Sequence, residues 1–284
     1  MIPAPFAFVR ARSIDEALAA LADHGDDAKL LAGGHSLLPL MKLRLATPSV
    51  LVDVNDVTDL AGIDLVGDEV VVGALTRHCD LVTSPVLREH LPLLSAAAAE
   101  VGDPQVRHRG TLGGSIAHGD PASDLPAAVL ALRGTITVQG PAGVRTVAAD
   151  DFFLGFLETA LSPDEMITEL RFSRRTGAGW AFEKFNKRAQ DWAIVGVAAL
   201  GGDHPGVGLV NMGATPVRAA SVEAAMRAGA AIDEAAALAD AESDPSADLN
   251  ASVEFRLHLA RVLVGRALAT IARGDAHGAS AGTA

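Results

Sequence analysis

Two stretches decide how this chain reads: LLAGGHSLLPL, Leu30 to Leu40, and RGTLGGSIAHGDPASDLP, Arg109 to Pro126. In the first, a short apolar strand over Lys29–Ala32 runs into Gly33-Gly34, with Ser36 just beyond. In the second, Thr111 precedes Gly113-Gly114-Ser115. Glycines so placed let the backbone approach a ligand closely and aim successive N–H groups inward. Either loop alone could be an ordinary tight turn. Two in one chain suit a ligand with adjacent phosphates, one loop on each face of a pyrophosphate. Neither is a dinucleotide fingerprint, because no G-x-G-x-x-G opens a helix, and neither is a P-loop, because no Gly-Lys-Ser/Thr follows. The usual nucleotide folds are disfavoured, yet the phosphate logic stands.

Around the first loop the rhythm is β/α. Ser13 and Glu16 form a capping-box pair, and Ile14, Ala17, Leu18, Leu21 and Ala22 repeat at helical spacing until Gly25 stops the helix. A strand at Val50–Val54 follows Thr47-Pro48. The middle is mixed: a strand at Val70–Val72, Thr76 as a cap, and a helical, alanine-rich stretch over Val86–Glu100. Thr135–Gln139 and Val144–Val147 flank Gly140-Pro141-Ala142-Gly143, a hairpin signal, and Ile167–Phe172 is a further strand. The polar, Gly-rich run Arg174–Gly179 marks a domain boundary. Beyond it come strands at Trp180–Phe185, Ala193–Leu200 and Val207–Met212, then helices at about Ala219–Ala230 and Ser252–Arg273. The sequence thus divides into residues 1–175 (subdomains 1–55 and 56–175), 176–273, and a small polar tail, 274–284, expected to be disordered.

Composition narrows the function. Asp and Glu total 35 against 23 Lys and Arg, a net charge of −12, so long-range attraction to nucleic acid is excluded as the organising force. A local anion site made of backbone N–H groups is still allowed. Cys79 is the only cysteine, which rules out an internal disulfide and an iron–sulfur cluster ligated by this chain. There is no Tyr to serve as an acid or redox residue. The longest apolar run is far short of the ~20 residues of a membrane helix, and the N-terminus does not read as a signal peptide, so the expectation is a cytoplasmic protein.

Taken together, LAGGHSLLPLMKLRLATPSVLVDVNDV, GALTRH, PQVRHRGTLGGSIAHGDPASDLPAAVLAL, DFFLGFLETALSPDEMITELRF and ASVEFRLHLARVLVGRAL resemble one family, in order and over nearly the whole chain. It is the FAD-binding medium subunit of molybdenum hydroxylases of the carbon monoxide dehydrogenase and xanthine dehydrogenase type. The resemblance implies an α+β fold: a two-subdomain α/β FAD-binding domain (PCMH/vanillyl-alcohol-oxidase-like) and a C-terminal three-stranded antiparallel sheet with helices. It implies that Ala32, Gly33, Gly34, His35, Ser36 and Leu37, with Thr111, Gly113, Gly114 and Ser115, hold the FAD pyrophosphate. His118 follows the second loop directly. Asp124 would accept from the ribose or adenosine part, fixed by the Pro121-Ala122-Ser123 turn. Ile167 would lie against the adenine or flavin, Lys184 would be a cofactor-proximal lysine, and Trp192 would cover the isoalloxazine ring or else simply begin a strand. The family often has Gln at His35 and Tyr at Phe182 and Phe255.

The implied function is an oxidoreductase subunit. Electrons would pass from [2Fe-2S] clusters on a small partner subunit, fed by molybdopterin on a large one, through noncovalent FAD to a terminal acceptor. The assembly would be a dimerised heterotrimer, without nucleic acid or a transmembrane segment. Two alternatives are a self-sufficient flavoprotein oxidase, with flavin bound covalently at His35 because GGHS also resembles berberine-bridge-type oxidases, and a non-catalytic nucleotide-binding or assembly module. His78, Cys79 and His90, or His108, His118 and Asp120, lack metal-ligand spacing, and Arg107 and Arg109 could support phosphates or cap a helix. No catalytic acid, base or metal ligand is expected on this chain.

Overall fold

The computed structural model describes residues 2–274 and the backbone of a short strand at His277–Gly278. The first unit holds β1 (Ala7–Arg10), α1 (Ile14–His24), β2 (Ala28–Leu31), α2 (Leu37–Lys42) and β3 (Val50–Asp53), with a parallel sheet in the order β1-β3-β2. Ser13 Oγ accepts the Glu16 N–H at 3.1 Å while Glu16 Oε2 accepts the Arg12 N–H at 2.7 Å, so the helix start is closed from both sides. Gly25, at φ 54°, ends it. Ala17 and Leu21 pack on Val50 and Val52, and this core continues across the expected 55/56 division to Leu60, Leu75 and Met166. The β1 strand has no sequence signal, because its AFVR lies at a sheet edge with only Val9 half-buried.

The second unit contains β4 (Ile63–Val66), β5 (Glu69–Gly73), α3 (His78–Thr83), α4 (Pro85–His90), α5 (Pro92–Ala99), α6 (Pro104–Arg109), α7 (Leu112–His118), α8 (Asp124–Ala131), β6 (Thr135–Gly140), β7 (Gly143–Ala148), β8 (Phe153–Gly155), β9 (Glu158–Thr159) and β10 (Met166–Ser173). Its main sheet is antiparallel in the order β4-β5-β10-β6-β7, with the β6–β7 hairpin turning at Pro141-Ala142. The helical stretch expected over 86–100 is divided into two helices, α4 and α5. Pro92 has no N–H to donate, and Leu91 before it adopts φ −141°, so the chain bends there. Thr76 is not a cap. Its hydroxyl accepts the Gly62 N–H at 3.1 Å and donates to the Gly62 carbonyl at 2.9 Å, and Arg77 is the residue that precedes α3.

The third unit has β11 (Trp180–Phe185), β12 (Val195–Leu200), β13 (Gly206–Val210), β14 (Val217–Arg218), α9 (Ala220–Arg227), α10 (Ile232–Ala236), α11 (Val253–Arg273) and β15 (His277–Gly278). The three expected strands form the antiparallel centre, and the two-residue strands β14 and β15 extend its edges in the order β14-β13-β12-β11-β15. The β15 pairing with Ala181 and Phe182 falls inside the expected disordered tail; the rest of that tail past Gly274 lies outside the described residues. No helix among the described residues is long and apolar enough to cross a membrane.

Every residue of α8 is buried, and all but Asp124 are apolar, because the helix serves the second unit and also carries the third-unit strands β12 and β13. The strand approaches so closely that a methyl on Gly206 or Gly208 would overlap the carbonyl oxygens of Ala131 and Ala127. Fully buried Glu223 clamps the same seam, accepting from Arg133 Nη2 at 2.9 Å, Arg218 Nη2 at 2.6 Å and the Val207 N–H at 3.0 Å. Gly208→Ala is therefore expected to cost about 1–3 kcal/mol or more, as overpacking against rigid backbone does. Gly265→Ala, where the new methyl meets only the Ala236 Cβ at 3.6 Å inside α11, should instead add about 0.5–1 kcal/mol. Urea unfolding midpoints of the two variants check both signs.

Candidate cofactor site

The two glycine loops touch. A methyl on Gly33 would overlap the Arg109 carbonyl oxygen, so only glycine permits the approach. A side-chain bridge ties the same loops. Asn55 Nδ2 donates to the Ala32 carbonyl at 3.0 Å, Arg77 Nη2 donates to Asn55 Oδ1 at 2.6 Å, and Arg77 Nη1 donates to the Arg109 carbonyl. An antiparallel bridge between Arg77 and Thr111 fixes the second loop to the start of α3.

The two loops do different work. Among the described residues, the N–H groups of Gly33, Gly34, His35, Ser36 and Leu37 meet no acceptor. That leaves a run of free donors, as a backbone anion site requires. The second loop departs from the expectation of inward N–H groups. Leu112 donates to Thr76 O, Gly113 to Ala74 O at 2.8 Å, Gly114 to Thr111 Oγ1 at 3.2 Å and Ser115 to Thr111 O at 3.1 Å. Its glycines serve packing: a methyl on Gly113 would sit 2.6 Å from the Ala74 Cβ. What this loop can offer a ligand is hydroxyl groups, on Thr111 and Ser115.

Both loops border one cavity of about 510 Å³, within the ~300–1,000 Å³ usual for ligand sites. Every residue expected from the sequence to bind the cofactor lies on it. Ala32 to Leu37 supply one wall, and Thr111, Gly113, Gly114, Ser115 and His118 the facing one. Asp124 opens α8, Ile167 stands in β10, Lys184 in β11, and Trp192 in the loop joining β11 to β12. Trp192 is 61% exposed and lies outside any strand. Its loop is anchored just behind it: Asn211, in the left-handed region at φ 62°, donates Nδ2 to the Ala193 carbonyl at 2.8 Å, and buried Arg256 donates to the Ile194 carbonyl. Phe182 is fully buried, and Phe255 stacks edge-on against Phe185 with centroids 6.2 Å apart, so neither aromatic needs a hydroxyl where it sits.

Lys184 acts first on protein. Its Nζ donates to Asp124 Oδ2 and to the Glu100 carbonyl, both at 2.8 Å. Burial pushes Asp124 up to about 6, against the pull of Lys184. Asp124 Oδ1 is buried and meets no hydrogen-bond partner. Arg107 caps a helix: its Nη1 donates to the carbonyls of Ala99, Val101 and Gly102 at the end of α5.

Sequence reasoning missed Asn55, Arg77 and His78 as members of the site. GALTRH contains two of them, but nothing local says that they face a loop thirty residues on. His78 also lines the cavity, and its Nε2 lies 3.1 Å from Ser115 Oγ. Burial lowers His78 to about 4, with His35, Arg77 and Arg107 adding to the same effect, while a backbone contact at Thr111 opposes it. The imidazole is therefore neutral at pH 7. Between about 4 and 6.5 the unfolded chain holds more protons at His78, so folding loses on the order of 3 kcal/mol as pH falls through that window. Asp124 runs the other way, because its folded pKa is raised from 3.8 to about 6 and the folded chain holds the extra proton there. On acidification from pH 6.5 to 4, His78→Gln should lose less unfolding free energy than the wild type, and Asp124→Asn more. Denaturant titrations at each pH measure the differences.

Comparison with known proteins agrees with this geometry. Residues 4–173 match the family model described as FAD binding domain in molybdopterin dehydrogenase, and residues 180–271 match the CO dehydrogenase flavoprotein C-terminal domain. The carbon monoxide dehydrogenase medium chain of Hydrogenophaga pseudoflava is 42% identical over 279 residues, 94% of this chain and 97% of that protein. The 6-hydroxypseudooxynicotine dehydrogenase complex subunit alpha of Paenarthrobacter nicotinovorans is 38% identical over 281 residues, 95% of each. A solved structure of carbon monoxide dehydrogenase from H. pseudoflava superposes with a TM-score of 0.93 at 43% identity, covering 96% of this chain and 99% of that one. With two glycine loops closing on one cavity and a likeness running from residue 4 to residue 271, the chain belongs to the FAD-binding medium subunits of the molybdenum hydroxylases, the carbon monoxide dehydrogenase flavoprotein family.

Proposed function

We propose that this chain carries noncovalent FAD between the iron–sulfur clusters of a small partner subunit and a terminal electron acceptor, while a large molybdopterin subunit performs the hydroxylation. The observation that carries the reading is the run of unpartnered N–H groups from Gly33 to Leu37, facing the Thr111 and Ser115 hydroxyls across one cavity. Those residues fit a pyrophosphate, and the orphaned Asp124 Oδ1 fits a ribose hydroxyl. Bound FAD supplies redox chemistry that exchanges electrons singly or in pairs; the chain supplies binding, orientation and shielding. Gly33 to Leu37 would donate to the diphosphate, Asp124 would accept from the sugar while Lys184 holds its charge, and Ile167 with Met166 would form an apolar wall. His35 and His118 flank the phosphate end. Trp192, its loop pinned by Asn211 and Arg256, would cover the ring.

The clusters must lie on a partner, since Cys79 is the chain's only thiol. That composition also suits a reducing, cytoplasmic setting. Relatives on the same fold belong to a carbon monoxide dehydrogenase and to a 6-hydroxypseudooxynicotine dehydrogenase complex, which supports substrate choice by the large subunit. We infer a heterotrimer, doubled by symmetry in the manner of most oligomers.

The test is an absorption spectrum of the full chain with FAD, repeated after acid precipitation. The flavin should move into the supernatant; a yellow pellet would assign it covalently to His35 and favour the self-sufficient oxidase. Gly33→Val should abolish binding while the folded far-ultraviolet spectrum persists. Trp192→Ala should keep binding within roughly tenfold, the scale of one aromatic contact, and raise the residual flavin fluorescence that a stacked indole quenches.

A further inference from the structure

We propose that His78 is a positioning residue for the cofactor: its Nε2–H donates to Ser115 Oγ, which frees the Ser115 hydroxyl proton to point at the pyrophosphate. The proposal rests on the FAD reading above and deepens it. It starts from the difference between the loops. The second loop has committed the N–H groups of Leu112 and Gly113 to the carbonyls of Thr76 and Ala74, and those of Gly114 and Ser115 to Thr111, so hydroxyl protons are what it has left to give an anion. A hydroxyl has one proton. If His78 accepted it, Ser115 would show a phosphate only lone pairs, and the contact would be repulsive.

Which way the 3.1 Å contact runs depends on the imidazole tautomer. The ring is 3% exposed, and its Nδ1 is buried without a hydrogen-bond partner. A proton on Nδ1 would be an orphaned buried donor, the rarer and costlier of the two possibilities. A bare Nδ1 is an under-satisfied acceptor, which interiors tolerate better. The proton therefore belongs on Nε2. Gly110 keeps the ring in place, because a methyl there would meet the His78 Cε1 at 2.6 Å, and the His78 N–H is tied to the Gly110 carbonyl at 3.0 Å. Burial that disfavours a second proton keeps the ring neutral, with a single N–H.

The experiment measures FAD affinity by quenching of flavin fluorescence for the full chain and for His78→Leu, His78→Gln, Ser115→Ala and the Leu/Ala double variant. Gln places an amide N–H near the position of Nε2; Leu fills the space without a donor. His78→Leu and Ser115→Ala should each weaken binding roughly 10- to 100-fold, as loss of a hydrogen bond to a charged group does. The double variant should be no weaker than Ser115→Ala, and His78→Gln should recover most of the loss. A packing role predicts instead that His78→Leu binds like the wild type, or costs as much in the Ser115→Ala background as alone, or is not rescued by Gln; each of these overturns the proposal. A wild-type chain that fails to bind FAD sinks the FAD reading and this proposal together, whereas FAD bound equally by wild type and His78→Leu sinks the proposal alone. Should the Leu variant not fold, long-range 1H–15N correlation of the FAD-bound wild-type chain reads the tautomer directly. An Nε2–H imidazole supports the assignment and an Nδ1–H imidazole refutes it.

Discussion

Everything in the site depends on one contact too close for a methyl group, that of Gly33 against the Arg109 carbonyl. It brings a loop from a parallel sheet and a loop from a helix-rich, antiparallel unit to one cavity. Asn55 and Arg77 then make the approach rigid, since each hydrogen-bonds backbone or side chain on both sides of it. A cofactor that bridges the loops meets donors already aimed, and the ordering cost has been met during folding rather than on binding. The same logic explains why the second loop commits its N–H groups to protein acceptors, Ala74, Thr76 and Thr111. A loop whose amides are satisfied can hold its shape while its side chains face the ligand.

The third unit enters this picture through α8. The helix that begins with Asp124 at the cavity is the one on which β12 and β13 pack, with glycines at 206 and 208 where a side chain would not fit. Lys184 in β11 reaches back to Asp124, and Asn211 after β13 donates its N–H to the Pro121 carbonyl at 2.7 Å and holds the Trp192 loop with its side chain. The C-terminal unit thus fixes both the charge state of Asp124 and the place of the indole. Removing a partner from a buried ion pair is costly because an uncompensated charge remains. Here burial already raises Asp124, so its proton affinity and the third unit's attachment are coupled.

How much of this was legible follows from the range of each interaction. The Ser13–Glu16 cap, the Gly25 stop and the β6–β7 hairpin depend on neighbours within a few residues, and their sequence signals hold. The break at Leu91-Pro92 was equally local; the alanine-rich pattern around it outweighed the proline in the reading and should not have. Thr76 had the residue type of a cap, but its hydroxyl found Gly62, fourteen residues earlier, a competition that no local rule decides. The glycine loops were legible as a pair, yet the division of labour between them was not, since it rests on whether Ala74 and Thr76 lie in reach of the second loop's amides. Asn55, Arg77 and His78 are the extreme case. Their importance comes entirely from where the fold puts residues 31–32 and 109–115.

A net charge of −12 and the proposed pyrophosphate site look opposed, and the neutral donors of the first loop make them compatible. The field of exposed carboxylates is screened over about 8 Å at physiological ionic strength, while hydrogen bonds from N–H and O–H groups act at contact, inside a wall of low polarisability. The first loop therefore needs no lysine or arginine at the phosphates, and the nearby guanidinium groups are free for structure: Arg77 joins the loops and Arg107 closes α5. Neutral donors have a further consequence for a redox cofactor. Fixed dipoles that do not titrate near neutral pH keep the potential around the flavin steady, and the two buried groups that could change it, His78 and Asp124, are pushed to about 4 and about 6. At pH 7 the His78 imidazole is therefore neutral and the Asp124 carboxylate ionised, so burial and the Lys184 partner set the charge of these two groups.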